Sequence, residues 1–363
     1  MNILIAFDSF KGSLTSKRAG ELLEEGLIST NPDIICQVVS VADGGEGSLE
    51  MIKNEKQIHF FTAKNPLGRE IKAYFLYQND IAYLEMAITS GITLLNKQEK
   101  NPLKTNTYGL GQQISEAIKM GFKKIILFAG GSATNDAGLG ALQALGFKFY
   151  SKNKTEITPN GETLQDIASF KAPNLENIPE IWVATDVTNP FYGPNGATYI
   201  YAPQKGATEN MLIILENGIK NIVSLFPDID INTIPGSGAA GGLAGGLHLF
   251  LGAKIVSATD ILFDATNLHQ KVNDAELVIT GEGRLDSQSL NGKLISKITD
   301  LSPQRKFIIV AGEMEEGLQF EKALRIYTLK TPEMSTEEAM QNAESLILHK
   351  GKEIGDFLKN KFV

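Results

Sequence analysis

Short apolar runs that do not alternate with polar residues punctuate the chain, a pattern typical of strands covered on both faces in a parallel sheet. NILIAF, residues 2–7, is the first. SLTSKRAGELLEEGLI follows, with Leu14, Ala19, Leu22, Leu23 and Leu27 at near-helical spacing, and then IICQVVSV reads as a buried strand holding Cys36. Strand, helix and strand in this order predict a βαβ unit. GGEGSLEMIKNE then predicts a helix entered through glycine.

Residues 59–85 change style. HFFTAK, IKAYFLY and IAYLEM are strand-like and are separated by the turns NPLGR and QND, which predicts an antiparallel meander. TYGLGQQISEAIKMG predicts a helix leading to a buried strand, KKIILFAGG, with GLGALQALGF as the next helix. EIWVATDV and ATYIYAP read as strands, and ATENMLIILENGIKNIVSLF as a helix. The end of the chain returns to the opening style. ELVITGEG, LNGKLISKITDL, KFIIVAGE, LRIYTL and TEEAMQNAESLILHKGKEIGDFLKNK predict strand, helix, strand, strand and helix. Together these patterns predict an α/β protein of two domains. Residues 1–58 and 275–363, from both chain ends, form a Rossmann-like parallel-sheet domain, and residues 59–274 form a second α/β domain inserted between them. KKIILFAGG suits either sheet, so residues 105–150 fit either domain.

Length agrees, since 363 residues is long for one core. Hydrophobic residues at 42% and charged residues at 21% are ordinary for a soluble globular protein. A net charge of −8 argues against nucleic-acid and anionic-membrane partners, and an anionic ligand would need local positive charge. One cysteine forms no internal disulfide and suits a reducing cytosol. The four histidines are far apart and make no zinc pattern. MNILIAFDSFKGS has no basic leader, so no signal peptide is expected. GAAGGLAGGLHLFLGA is shorter than the roughly 18 residues a membrane span requires. The expected location is the cytoplasm.

Candidate chemistry collects where the apolar runs end, which is where open α/β sheets bind ligands. NILIAF ends in Asp8, Ser9, Lys11 and Ser13; VVSVA in Asp43, Gly44, Gly45, Glu46 and Gly47; IILFA in Gly130, Gly131, Ser132, Thr134, Asn135 and Asp136. IWVAT ends in Asp186, Thr188 and Asn189, and LVIT in Gly281, Glu282, Gly283, Arg284, Asp286, Ser287 and Gln288. Each loop alone reads first as a turn or helix cap. Five such loops, with carboxylates beside Lys or Arg, point to an ionic ligand and a divalent cation such as magnesium. Lys11 at a helix entry and Arg284 between acidic residues are the leading anion-binding cations, with a surface lysine and a local ion pair as the alternatives. Lys205 and Lys104 are weaker candidates.

Gly236, Gly238 and Gly241 match G-x-G-x-x-G literally, but the text before them, DIDINTIP, is short and ends in proline where a dinucleotide fingerprint needs a strand. The same glycines suit either close approach to nucleotide phosphates or tight helix packing. P-loop, protein-kinase and serine-hydrolase motifs are missing. Beside an enzyme that binds an anion with a divalent cation, two other readings stand: an NAD(P)-dependent hydroxy-acid dehydrogenase resting on GSGAAG, and a non-catalytic sugar-acid-binding protein.

IAFDSFKGSLTS, VADGGEGSLE, GGSATNDAGLGALQALG, ATDVTNPFYGPNGATYIYAPQKGAT, PGSGAAGGLAGGL and VITGEGRLDSQSLNGK, in this order, resemble the bacterial glycerate kinase family nearly end to end. The resemblance implies transfer of the γ-phosphoryl group of ATP, with Mg2+, to D-glycerate. The usual product is 2-phosphoglycerate, in glyoxylate, glucarate or related catabolism. It also implies a Rossmann-like domain and a second α/β domain with the site in the cleft between them. Phosphoryl transfer then suggests roles by chemistry. Lys11 and Arg284 would hold the glycerate carboxylate or the moving phosphoryl group. Asp186, or failing it Asp286, would take the hydroxyl proton. Asp43, Glu46 and Asp136 would serve magnesium. Ser132, Thr134 and Asn135, with the amides of Gly130 and Gly131, would cradle an anion, and Ser9 and Asn189 would join the substrate-binding set. Gly236, Gly238, Gly241 and Gly242 would admit nucleotide phosphates.

Overall fold

Fourteen strands carry the apolar runs among the described residues: β1 (Asn2–Phe7), β2 (Ile35–Ser40), β3 (Gln57–Lys64), β4 (Glu70–Gln78), β5 (Ile81–Glu85), β6 (Lys124–Phe128), β7 (Lys148–Tyr150), β8 (Glu156–Ile157), β9 (Ser169–Lys171), β10 (Glu180–Ala184), β11 (Lys254–Val256), β12 (Leu277–Leu285), β13 (Phe307–Met314) and β14 (Ala323–Thr328). The structure is a computed structural model. It describes every residue except Lys11, Asp43, Glu46, Glu55, residues 175–177, residues 287–293, Pro303, Arg305 and residues 362–363. The chain divides into two units, residues 1–43 with 262–363, and residues 44–261. Residues 105–150 lie in the second.

In the first unit, five parallel strands run in the order β14-β13-β12-β1-β2. Counted within the unit this is 2-1-3-4-5, a doubly wound order whose reversal point lies between β1 and β12. One face packs on Ala19, Leu22, Leu23 and Leu27 of the helix Ser16–Thr30 and on Ile347, Ile354 and Leu358 of the helix Ala343–Lys361. These two helices meet at Gly26 and Gly351, where a Cβ on Gly26 would lie 2.8 Å from the Gly351 Cα. The other face covers Ile309 and Ala311 with Ile295 of the helix Leu294–Asp300. The expectation of a doubly covered strand does not hold for β2. It is an edge strand, with Ile35 68% exposed and Cys36 half-buried.

In the second unit, six strands run in the order β11-β10-β6-β5-β4-β3. The meander β3-β4-β5 is antiparallel, as its alternation predicts, and β5 then pairs with β6 in parallel. A small antiparallel sheet, β8-β7-β9, was not legible in the pattern. ATYIYAP is not a strand. It forms the helix Ala197–Tyr201, with Ala197 and Thr198 buried and Tyr199 and Ile200 outside. Its β-branched and aromatic residues mimic a strand because five residues are too few to show a helical period. No described helix is long and apolar enough to cross a membrane.

Candidate functional site

Strand register sets the geometry of the second unit. Glu85, Phe128, Ala184 and Val256 are level across β5, β6, β10 and β11. The ladder extends one step further through Ala129 N to Ala184 O (3.1 Å) and Thr185 N to Val256 O (2.9 Å). The segments after β6, β10 and β11 therefore leave side by side from the carboxyl edge of the sheet, where α/β sheets take their ligands.

Two loops singled out by sequence meet there. Gly130 N donates to Gly44 O (3.1 Å), and a Cβ on Gly130 would sit 2.2 Å from the Gly45 Cα, so only glycine permits the contact. Glu85, buried at the end of β5, accepts from Gly47 N (3.1 Å) and Leu49 N (3.0 Å) and anchors the start of the helix Ser48–Ile52. Asp43 and Glu46, the metal candidates of this loop, lie outside the described residues. A cavity of about 250 Å³ beside it is lined by Gly47, Glu50, Tyr74, Glu85 and Thr93. Burial, then Glu85 and Glu50, push the Tyr74 phenol up. With two carboxylates in its wall, this cavity is a poor seat for an anion.

The loop after β6 is fixed at nearly every step. Gly131 O accepts from Ile92 N (2.9 Å), Ser90 O from Ala133 N (2.9 Å), and Ala133 O from Thr105 Oγ1 (2.9 Å). Gly131 stays exposed, Ser132 is almost covered, and Thr134, Asn135 and Asp136 are fully buried. This corrects the expected anion cradle. The Gly130 amide is already committed to Gly44, and Thr134 and Asn135 are fully buried, which leaves Gly131 as the exposed residue of the loop with Ser132 at its margin.

Asp136 is corrected too. Its Oδ2 accepts from Thr107 N (2.8 Å), Thr107 Oγ1 (2.8 Å) and Gly140 N (3.1 Å), and its Oδ1 from Gly138 N (3.2 Å). Burial pushes the carboxyl above its usual range, and these donors oppose the shift. A carboxyl so enclosed joins the starts of the helices Tyr108–Lys119 and Leu139–Ala144 and has no face for magnesium. Among the described residues, no group of three His, Cys, Asp or Glu side chains could hold a metal ion.

The glycines of PGSGAAGG also turn out to serve packing. No strand precedes them; Ile231–Thr233 is a single 3-10 turn. A Cβ on Gly236 would lie 2.8 Å from Val187 O, on Gly238 2.1 Å from Pro190 O, on Gly241 2.1 Å from Thr134 O, and on Gly242 3.0 Å from the Phe191 ring. Protein backbone or the Phe191 ring thus occupies the side-chain face of each glycine, so close packing requires them, and the dinucleotide reading lacks the strand its motif needs.

Asp186 emerges just beyond β10, half-buried. It accepts from Ser257 Oγ (2.9 Å), Thr259 N (3.1 Å) and Thr259 Oγ1. Ser257 Oγ in turn accepts from Asp260 N (3.2 Å), so Asp186 and Ser257 together cap the helix Ala258–Ala265. Serine followed three residues later by Asp at 257–260 is the sequence signal that could have found this partner. Asn189 bonds Asn195 O (2.8 Å) and Tyr201 Oη (2.5 Å), which places it in a crosslink of its own loop.

In the first unit, Asp8 and Ser9 follow β1 at the reversal point, with Asp8 N bonded to Gly281 O (2.9 Å). β12 outruns β1 and continues along β13, where Arg284 faces Glu313 in register. Arg284 is exposed and forms no ion pair among the described residues, so the local ion pair considered for it is not made there. Asp286 follows at the strand end; Lys11, Ser287 and Gln288 lie outside the described residues.

Comparison with known proteins agrees with the sequence resemblance. The profile of the glycerate kinase family matches residues 3–359. A glycerate kinase from Halalkalibacterium halodurans is 37% identical over 361 residues, with 95% of each chain covered. A glycerate 2-kinase from Escherichia coli (strain K12) is 39% identical over 332 residues, covering 88% of this chain and 87% of that one. A solved structure from Salmonella typhimurium LT2, provisionally named glycerate kinase 2, superposes with a TM-score of 0.81 at 33% identity, covering 99% of this chain and 98% of that one. With a match spanning nearly every residue and the same α/β fold, this chain belongs to the glycerate kinase family.

Proposed function

We propose that the chain transfers the γ-phosphoryl group of ATP to the 2-hydroxyl of D-glycerate, in the cytoplasm, as a step of sugar-acid breakdown. The observation that carries this reading is family membership over residues 3–359. Residues of the strand-end loops are the candidates for its chemistry. In the reaction the glycerate oxygen bonds to the γ-phosphorus, the bond from that phosphorus to the bridging oxygen of ADP breaks, and the hydroxyl proton passes to a carboxylate. Asp186 is the proposed acceptor of that proton. It is half-buried and held in one orientation by Ser257 and Thr259, as a general base must be. Asp286 is the second candidate.

Gly131 and Ser132 face the anionic group, and Lys11 and Arg284 neutralise charge on the glycerate carboxylate or the transferring group. Ser9 contributes from the loop after β1. Magnesium accompanying ATP offsets phosphate charge, and Asp43 and Glu46 are its proposed ligands.

Phosphorus NMR of the product, with ATP, magnesium and D-glycerate, tests the reading. Phosphate on C2 couples to one proton and gives a doublet. A triplet reports the 3-hydroxyl and overturns the regiochemistry. No new phosphomonoester resonance beside those of ATP and ADP overturns the activity.

A further inference from the structure

Lys205 is 1% exposed, an unusual position for a lysine. It ends the single turn Pro203–Lys205, closed by Gly206 at φ +93°, where a Cβ would meet Lys100 O at 2.3 Å. This turn sends the side chain inward, where Nζ donates to Thr134 O at 2.6 Å. Asp136 is the charge acting on it; burial pushes the ammonium down to about 7 while Asp136 pulls it up. Around the same backbone, Thr134 Oγ1 and Asn135 Oδ1 are buried with no hydrogen-bond partner among the described residues. Gly241 packs against Thr134 O and the Asn135 Cα from the other side. An apolar side chain would fill the place of Lys205 without the several kcal/mol that desolvating an ammonium costs, but it would leave Thr134 O buried without its Lys205 donor.

We infer that Lys205 is a positioning residue: by holding Thr134 O it fixes the loop after β6 from behind, and so sets where Gly131 and Ser132 meet the reacting anion. The inference rests on the proposed reading that this loop faces that anion. Lys205 itself touches no substrate. Its two remaining N–H groups and the unpartnered oxygens of Thr134 and Asn135 suit bridging water, which commonly completes buried polar clusters.

Three full-length variants test it, with kcat and both KM values measured. Lys205→Met keeps the length and removes the donor; Lys205→Gln keeps a neutral N–H. Lowered kcat with little change in KM, at least tenfold for Met and clearly less for Gln, is the expected order. Met equal to or better than Gln overturns the inference, because a side chain that only fills space favours Met. Should Lys205→Met not fold, the Gln variant decides through amide exchange. Faster exchange confined to residues 130–137, together with lowered kcat, supports the role. Lowered kcat with unchanged exchange there, or unchanged kcat, overturns it. Ser132→Ala separates the two levels. If it leaves kcat and both KM values at wild type, the loop does not face the anion and the reading beneath the inference fails.

Discussion

Replacing Asp136 with Asn removes one oxygen from a buried carboxyl that receives four hydrogen bonds. With the amide oxygen in the Oδ2 position, the bonds from Thr107 N, Thr107 Oγ1 and Gly140 N pass from a charged to a neutral acceptor, a loss of about 0.5–1 kcal/mol each. The amide nitrogen then faces Gly138 N, leaving a buried donor unsatisfied at about 1–3 kcal/mol. Lys205 also loses the charge that favours its ammonium. The total is about 2.5–6 kcal/mol. Trp182, the only tryptophan, sits on β10 and reports unfolding of the second unit by fluorescence. With a urea slope of about 3 kcal/mol/M, the midpoint should fall by about 1–2 M. A midpoint within about 0.3 M of wild type refutes the carboxylate as the hub of this corner. If the magnesium requirement also rose sharply, Asp136 would return to the metal-ligand role that sequence first suggested.

Stability should also depend on pH through Lys205. Its folded pKa of about 7 lies below the unfolded value of about 10.4, so the unfolded state binds more protons between the two and stability rises with pH across that window. Lys205→Met should flatten that rise relative to wild type, and parallel curves would show that the ammonium is not strongly desolvated. Gly241→Ala should cost more than about 3 kcal/mol, since its Cβ would lie 2.1 Å from Thr134 O at φ +69°. Gly252→Ala has a similar φ but open space, so it should cost only about 1–2 kcal/mol in urea unfolding. Asp186→Asn should lower kcat/KM at least a hundredfold and flatten the acidic limb of its pH profile; an intact limb with lowered stability would leave Asp186 as a helix cap alone.

Much of the parallel framework was legible because a strand covered on both faces must be apolar throughout, as NILIAF and KFIIVAGE are. β2 misled because an edge strand can be equally apolar in text and half-exposed in space. Roles inside the loops were harder to read. Asp136 and Asp186 follow strands in similar polar text, yet one is enclosed by amides and the other is half-exposed. The difference arises from Thr107 and Ser257, distant in sequence, whose positions depend on packing. Gly236 to Gly242 fitted a ligand motif and a packing motif equally until the carbonyls of Pro190 and Thr134 were found against them. Lys205 carries no sequence sign of burial; only the turn that Pro203 and Gly206 impose sends it inward.

β1 lies between β12 and β2, and this has a consequence for biosynthesis. About 270 residues separate the end of β1 from the start of β12, so at roughly 5–20 residues per second a ribosome takes on the order of 15–50 s to supply its partner. Throughout that interval a strand apolar on both faces has β2 beside it and nothing on its other edge. Residues 44–261 are complete before β12 is made. β1 therefore waits through the whole of residues 44–261 for its second neighbour, and the burden of shielding its open edge in the nascent chain falls on residues 1–43.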